Sequence, residues 1–355
     1  MNNGEVFVIG LMSGTSLDGV DLVYVKFDKN KYQNFDIIHS ETVSYSEKWK
    51  STLQEAINFS SDALKDLNLN YGKLLGEIIC DFIDKFQIHN IDFVASHGHT
   101  VLHQPQDGIT LQVGDGQIIA NAIHQKVICD FRTQDVKLGG QGAPLVPIGD
   151  ELLFSNYSYC LNLGGFSNIS FNKEGIRIAY DICPVNIVLN FYANKLGLDY
   201  DESGKIASKG KINKELLAAL NALSFYKKAP PKSLGLEWVK EIIFPLIDKL
   251  ETDIPSILRT FVEHVAMQIS KVIVGSNSVL ITGGGVFNSF LVERMEFYAH
   301  IKITLTSSKI IDFKEALIFA FLGVLCSVGK VNCLKSVTGA SKNHSAGEIF
   351  YPNRK

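Results

Sequence analysis

The sequence predicts an α/β protein built from two related halves, and three observations carry that prediction. Runs rich in Val, Ile, Phe and Tyr alternate with amphipathic helical stretches along the chain. A strand, a glycine-rich polar turn and a second strand occupy residues 6–25, and the same plan returns about 150 residues later at residues 159–171. The length of 355 residues is enough for two cores of ordinary domain size. Glycine hairpins occur in any α/β protein, so the repeated plan by itself is equally compatible with two ordinary turns.

Each element follows from local composition and period. Strands are expected at residues 5–11, 20–27, 91–96, 110–113, 126–131, 157–163, 168–172, 176–180 and 278–282, where β-branched and aromatic residues cluster. A helix is expected over residues 72–86, with Leu74, Leu75, Ile78, Ile79, Phe82, Ile83 and Phe86 on the 3.6-residue period. A second helix is expected over residues 256–274, entered just after Pro255, with a stripe that includes Ile257, Phe261, Val265 and Ile269. Helical stretches are also expected at 289–298 and 316–327, the latter opened by Glu315. The apolar run 316–329 is 14 residues long and short of the roughly 20 needed to span a bilayer, which favours a buried helix.

Composition narrows the function classes. Lys+Arg number 34 against 37 Asp+Glu, a net charge of −3, which leaves no electrostatic footprint for nucleic acid or an anionic membrane. Residues 1–4 are short and polar, unlike a signal peptide. The six cysteines form no CxxC pair, and several stand in strand-like contexts. Buried free thiols in a reducing cytoplasm are expected, with neither a disulfide framework nor a zinc site. His97, His99 and His103 have unconvincing spacing for a metal set.

The informative residues are glycines in three loops. A phosphate is held by several backbone N–H groups aimed at one point, and glycine clears the approach while Ser and Thr add donors. Ser13-Gly14-Thr15-Ser16 meets that description, followed by Asp18 and Asp21, which could order Mg2+ through water. Gly164-Gly165, with Ser167 and Asn168, is the matching loop of the second half. Gly283-Gly284-Gly285, followed by Asn288, lies between a strand and a helix and suits a ribose, a base or an α-phosphate. No GxGxxG or GxxxxGK[ST] motif occurs, so the dinucleotide and P-loop classes lack support. Each loop alone is weak; together they favour a nucleotide held between two domains.

At this point a family pattern emerges. Gly10-Leu-Met-Ser-Gly-Thr-Ser-Leu-Asp-Gly-Val-Asp21 resembles the N-terminal signature of the anhydro-N-acetylmuramic acid kinase family. The similarity continues through Ser96-His-Gly-His-Thr, Asp130-Phe-Arg-Thr-Gln-Asp135, Gly139-Gly-Gln-Gly-Ala-Pro-Leu-Val-Pro147, Leu161-Asn-Leu-Gly-Gly-Phe-Ser-Asn168, Pro230-Pro-Lys-Ser233, Thr282-Gly-Gly-Gly-Val-Phe-Asn288 and Val337-Thr-Gly-Ala340. The resemblance implies the sugar kinase/Hsp70/actin (ribonuclease H-like) fold: two related domains flanking an ATP cleft. The domains expected are 1–137 with 312–355, carrying the first phosphate loop and much of the sugar site, and 138–311, carrying the other two loops. It implies a cytoplasmic kinase that opens the 1,6-anhydro ring of anhydro-N-acetylmuramic acid with water. The 6-oxygen is phosphorylated, giving N-acetylmuramic acid 6-phosphate for cell-wall recycling.

The resemblance also assigns roles. Asp181 matches the catalytic aspartate. Its sequence setting is open to two readings, a carboxylate projecting from a strand end or a cap for the segment entered at Pro184. Ser13, Gly14, Thr15, Ser16, Leu17, Asp18, Gly19, Val20 and Asp21 are expected to meet ATP, together with Gly164, Gly165, Asn168, Gly283, Gly284, Gly285 and Asn288. Asp18 is the expected Mg2+ partner, through water. His97, Thr100, Arg132, Asn186 and Glu315 are the expected sugar contacts; Arg132 could instead pair with Asp130 or Asp135 to hold its loop. The partners expected are the anhydro amino sugar and ATP, without nucleic acid or membrane, and a homodimer is compatible with the reading. The chain departs from the family pattern at Ile182, Cys183, Val185 and Leu236, positions that bear on sugar fit. The competing readings are a kinase of a related anhydrosugar or amino sugar, and a non-catalytic sugar- and nucleotide-binding sensor.

Overall fold

A computed structural model describes residues 4–14, 17–276 and 278–353. In chain order its strands are β1 (Glu5–Ser13), β2 (Gly19–Asp28), β3 (Phe35–Ser44), β4 (Phe93–Gln104), β5 (Ile109–Val113), β6 (Val127–Cys129), β7 (Tyr159–Leu163), β8 (Phe166–Lys173), β9 (Ile176–Pro184), β10 (Val279–Thr282) and β11 (Glu348–Phe350). The chain divides into two compact units, residues 1–153 with 313–355, and residues 154–312. The first division falls later than the expected 137/138 because the intervening segment is tied to the first unit. Asp135 accepts from Thr338 Oγ1 at 2.8 Å, Gln141 N donates to Thr338 O at 2.8 Å, and Gly149 packs against Ile318.

The first unit holds a sheet ordered β11-β6-β4-β1-β2-β3, with β5 added beside β4. β1, β2 and β3 form an antiparallel meander, and β4 then pairs parallel to β1 on the other side. β1 and β2 are central strands, with residues such as Val8, Ile9, Leu22 and Val23 fully buried. The helix Ser308–Ser327 is apolar almost all round and buried through residues 316–325, as expected of a core helix. Among the described residues no helix is long and apolar enough to cross a membrane. A second face is covered by the helix Ser61–Lys85, which buries Leu67, Tyr71, Leu75, Ile79 and Phe82.

The second unit repeats the plan in smaller form. Its sheet is ordered β10-β7-β8-β9, with β7, β8 and β9 an antiparallel meander and β10 parallel to β7. In both units the first three strands run 3-2-1 and the fourth docks beside the first, so the two halves are topologically related. The helix Ile254–Ile273 lies at the centre of this core, N-capped by Asp253 and burying Ile257, Leu258, Phe261, Val265 and Ile269. The expected α/β class with two related domains is therefore the architecture found.

Candidate functional site

The first expected phosphate loop is the turn between β1 and β2, which pair from Glu5 opposite Asp28 to Ser13 opposite Val20. Ser13 is buried, its hydroxyl 2.6 Å from the Tyr45 hydroxyl and 3.0 Å from His99 Nδ1. Tyr45 in turn sits 2.5 Å from the Tyr71 hydroxyl. The Ser13 side chain is thus committed to a buried polar chain, and its segment offers a phosphate backbone N–H groups instead. Burial pulls His99 down to about 4, so the ring in this chain is neutral near pH 7. Gly14 opens the turn, and Thr15 and Ser16 lie outside the described residues. Leu17 has φ 61° and its N–H points back to Gly14 O at 3.4 Å.

The rest of this loop separates into structural and available residues. A Cβ at Gly19 would stand 2.3 Å from Val43 O, and Val20 is fully buried, so both residues serve the sheet. Asp21 Oδ1 accepts from Thr42 Oγ1 at 2.6 Å across the β2–β3 pair. Asp18 is exposed at the turn.

Four of the expected sugar residues belong to the first unit. β4 continues to Gln104, so His97 and Thr100 stand on a strand instead of in a following loop. His97 Nδ1 donates to Gly98 O at 2.9 Å and its Nε2 accepts from Arg132 Nε at 2.9 Å, which fixes the neutral tautomer. Burial, reinforced by the Arg132 charge, holds His97 well below the usual imidazole range. Arg132 also donates from Nη1 to Gly142 O at 2.5 Å. Among the described residues it has no ion pair with Asp130 or Asp135; Asp130 instead accepts from Thr133 N at 3.1 Å and turns the chain into the helix Thr133–Lys137. Thr100 Oγ1 accepts weakly from Gln112 Nε2 at 3.4 Å.

Glu315 is placed differently from expectation. The helix starts at Ser308, so Glu315 is mid-helix and carries no N-terminal dipole role. Its neighbour Lys314 turns inward to Asp150, Nζ to Oδ1 at 3.2 Å. Glu315 is solvent-accessible but ringed by protein, and the loss of surrounding water raises its carboxyl above the usual range against the pull of Lys314 and Arg132.

In the second unit the two glycine loops meet at one end of the sheet. Thr282 of β10 pairs with Asn162 of β7, so Gly164-Gly165 and Gly283-Gly284-Gly285 leave from neighbouring strand ends. Gly283 has φ 86°, and a Cβ there would lie 2.6 Å from Asn162 Oδ1. A Cβ at Gly285 would lie 2.8 Å from Leu163 Cβ, so these two glycines serve close packing, whereas Gly284 is open. Asn186 joins this corner, its Nδ2 donating to Leu163 O at 3.4 Å. Gly165 O accepts from Val185 N at 2.8 Å and from Ile187 N at 3.2 Å, binding the tip of the hairpin to the start of the helix Asn186–Asn194. Asn288 caps the helix Ser289–Ala299 through Leu291 N at 3.0 Å.

Asp181 is inside β9, which runs on to Pro184, and not at a strand end. It is not a helix cap either: the next helix begins at Asn186 with Val185 at its N-cap position. What extends the strand is the segment after Pro231, where Lys232 O accepts from Asp181 N at 3.1 Å and Leu234 N donates to Asp181 Oδ2 at 2.8 Å. Across the β8–β9 pair its partner is Asn168, which is exposed. Half-burial raises the Asp181 carboxyl above the usual range, only partly offset by the Leu234 N–H. A carboxylate with one oxygen anchored and a raised pKa is a stronger proton acceptor than a freely solvated one.

The departures at Ile182, Cys183 and Val185 point elsewhere. All three are buried in the second unit's core, at 4%, 0% and 0% exposure. Cys183 N donates to Ser167 Oγ at 3.2 Å, and burial pushes its thiol up to about 12. These changes are core packing behind the aspartate. The segment 230–234, marked in the sequence by the motif Pro230-Pro-Lys-Ser233, is what holds Asp181 in place.

A family model described as Anhydro-N-acetylmuramic acid kinase matches residues 6–352. An anhydro-N-acetylmuramic acid kinase of Shewanella sp. (strain ANA-3) is 35% identical over 367 residues, covering 98% of this chain and 99% of its own. One of Bacillus thuringiensis subsp. konkukian (strain 97-27) is 31% identical over 384 residues, covering 98% and 100%. Among solved structures, a ligand-bound xylulose kinase of Lactobacillus acidophilus is similar at TM-score 0.45 and 12% identity, over 98% of this chain and 94% of that one. Matched from end to end in both sequence comparisons, the chain belongs to the anhydro-N-acetylmuramic acid kinase family, and it is a kinase.

Proposed function

We propose that this kinase uses ATP to phosphorylate the 6-oxygen of 1,6-anhydro-N-acetylmuramic acid while water opens the anhydro ring. Asp181 accepts a proton from the water as its oxygen bonds to the anomeric carbon. The bond between that carbon and the bridging oxygen breaks, and the released 6-oxygen takes the γ-phosphoryl group. ADP leaves, the proton on Asp181 passes to solvent, and the product is N-acetylmuramic acid 6-phosphate. Capture of the departing oxygen by phosphorus removes the need for the second carboxylate that glycoside hydrolysis uses. The observation that supports this reading most directly is the clasp on Asp181 by Lys232 O and Leu234 N, which leaves Oδ1 as the proton acceptor.

The remaining residues position and neutralise. The backbone around Gly14, with the Gly164-Gly165 tip, of which Gly165 is the open member, and Gly284, is read as the nucleotide-facing set. Ser13, Gly19, Val20, Gly283, Gly285 and Asn288 shape that set by packing or capping. Mg2+ would neutralise charge on the transferring phosphates, and Asp18 is the exposed carboxylate suited to hold it through water, Asp21 being tied to Thr42. Arg132, with Nε and Nη1 used by His97 and Gly142 O, has further N–H groups for the lactyl carboxylate or a hydroxyl.

The test is direct. Purified protein with ATP, Mg2+ and the anhydro sugar should yield the 6-phosphate by mass spectrometry and 31P NMR. Asp181→Asn should lower kcat by about a thousandfold. Undiminished turnover in that variant would remove Asp181 from the role of base.

A further inference from the structure

We infer that the first unit contains a zinc-type cation site formed by Asp135, Cys333 and His344. The three come from distant parts of the chain and are brought together by two contacts of the C-terminal segment. Cys333 and His344 face each other across a single antiparallel bridge, each N–H donating to the other's carbonyl at 3.1 and 3.2 Å. Thr338, between them in sequence, donates from Oγ1 to Asp135 Oδ1 at 2.8 Å. The outcome is a carboxylate, a thiol and an imidazole, all buried, with one ligand atom of each within 4.8 Å of the others. His344 Nε2 lies 3.5 Å from Asp135 Oδ1. Around a tetrahedral zinc, N, O and S ligand atoms stand about 3.5 Å apart, so the carboxylate–imidazole pair is already at ligand spacing, with the sulfur within 4.8 Å of both groups.

The imidazole carries the argument. His344 Nδ1 is 3.2 Å from Lys342 O, to which only an Nδ1–H can donate. In the neutral ring Nε2 then holds a lone pair, and it is buried without a hydrogen-bond partner. A lone pair aimed at a carboxylate and a thiol is a costly arrangement unless a cation lies between them. A ring anchored through Nδ1–H to a carbonyl is how metal-bound histidines are oriented. The other groups are also braced: Asp135 Oδ2 accepts from Gly142 N at 2.7 Å while Oδ1 is held by Thr338.

Charge and softness select the ion. A thiolate and a carboxylate sum to −2, so a divalent cation leaves the buried cluster neutral, and binding releases the Cys333 proton to solvent. Thiolate with imidazole favours Zn2+ over Mg2+ or Ca2+. Three protein ligands leave a fourth position to a non-protein ligand. Bound there, the cation would clip residues 333–344 onto the helix Thr133–Lys137, one residue beyond Arg132.

The experiment uses the full chain, purified without a metal-affinity tag, treated with a chelator and titrated with Co2+, then with Zn2+ in competition. About one Co2+ per chain should bind, with tetrahedral visible bands and a thiolate-to-cobalt charge-transfer band in the near ultraviolet. Zn2+ should displace it and raise the melting temperature. Cys333→Ser should abolish the charge-transfer band, and His344→Gln should weaken binding by about a hundredfold. If Cys333→Ser does not fold, the His344→Gln titration and the wild-type spectrum decide. A folded wild-type chain that binds no Co2+, a charge-transfer band that survives Cys333→Ser in folded protein, or a folded His344→Gln variant that binds Co2+ as tightly as wild type overturns the site and leaves Asp135 and His344 as a metal-free pair.

Discussion

At the scale of single residues, Asp181 illustrates a conflict between stability and chemistry. Its carboxyl is raised because partial burial penalises the charged form, with the Leu234 N–H only partly compensating. A group with a raised folded-state pKa favours the fold while protonated, below its unfolded value near 4, and loses that contribution as pH rises through its folded value. At neutral pH the ionised Asp181 therefore costs stability. Asp181→Asn keeps an acceptor for Leu234 N and removes the charge. It should melt higher than wild type at pH 7, the difference vanishing as pH falls towards about 4. Calorimetric scans of both proteins across that range check this, and a variant that is less stable at pH 7 would contradict the assigned desolvation. The substitution expected to cut turnover about a thousandfold is thus also expected to stabilise the protein, a pairing a merely structural aspartate would not produce.

At the scale of elements, close approach of backbone to backbone fixes where the site residues stand. β1 is pressed against the helix Ser308–Ser327 at Gly10, where a Cβ would lie 2.3 Å from Ala316 O and 2.7 Å from Ala320 Cβ. That contact sets both the strand ending in Ser13 and the helix carrying Glu315. Gly10→Ala must push them apart, at a cost of about 1–3 kcal/mol, and should lower the melting temperature by roughly 5 °C in a thermal scan. An unchanged melting temperature would mean that the helix is not seated as closely as described. The β1 and β2 strands and the central helix of each unit were legible in the sequence because burial on one or both faces writes a period into it. β3 was not, because as an edge strand it is half exposed and its run Phe35–Ser44 mixes polar residues throughout. The start of the helix at Ser308 was hidden by its polar first turns, which moved Glu315 from an end to the middle. Within the site, glycines could be read as turns but not sorted. Gly19, Gly283 and Gly285 are explained by neighbours such as Val43, Asn162 and Leu163, which only the folded register supplies. The strand position of Asp181 likewise depends on Lys232 and Leu234, some fifty residues away in the chain.

At the scale of the whole molecule, the chain's path makes the units unequal in independence. It crosses once after Leu153 and returns after Asp312, so the second unit is one continuous stretch, while the first is assembled from two segments. The second unit's core, from Leu161 to Ile311, draws its buried residues from that stretch alone, around the helix Ile254–Ile273. Its sheet is likewise complete within it, β10-β7-β8-β9. A stretch with its own closed core and sheet meets the requirements for folding alone. Residues 154–312 expressed as a fragment should therefore unfold in urea in one cooperative transition, seen alike by far-ultraviolet circular dichroism and tryptophan fluorescence from Trp238. The first unit lacks this property. Its strand β1 must pack on the helix Ser308–Ser327, more than 300 residues further on by Ala316 and Ala320, and that contact forms only after the whole inserted unit has been made. A fragment of residues 1–153 should accordingly lack a cooperative transition, because the face of the sheet that carries Gly10, Val8 and Phe27, the last packed on Phe321, is then exposed to solvent in place of the helix. Cooperative unfolding of that fragment would show that the sheet and the helix Ser61–Lys85 suffice, and that the returning C-terminal segment completes the site without being needed for the fold.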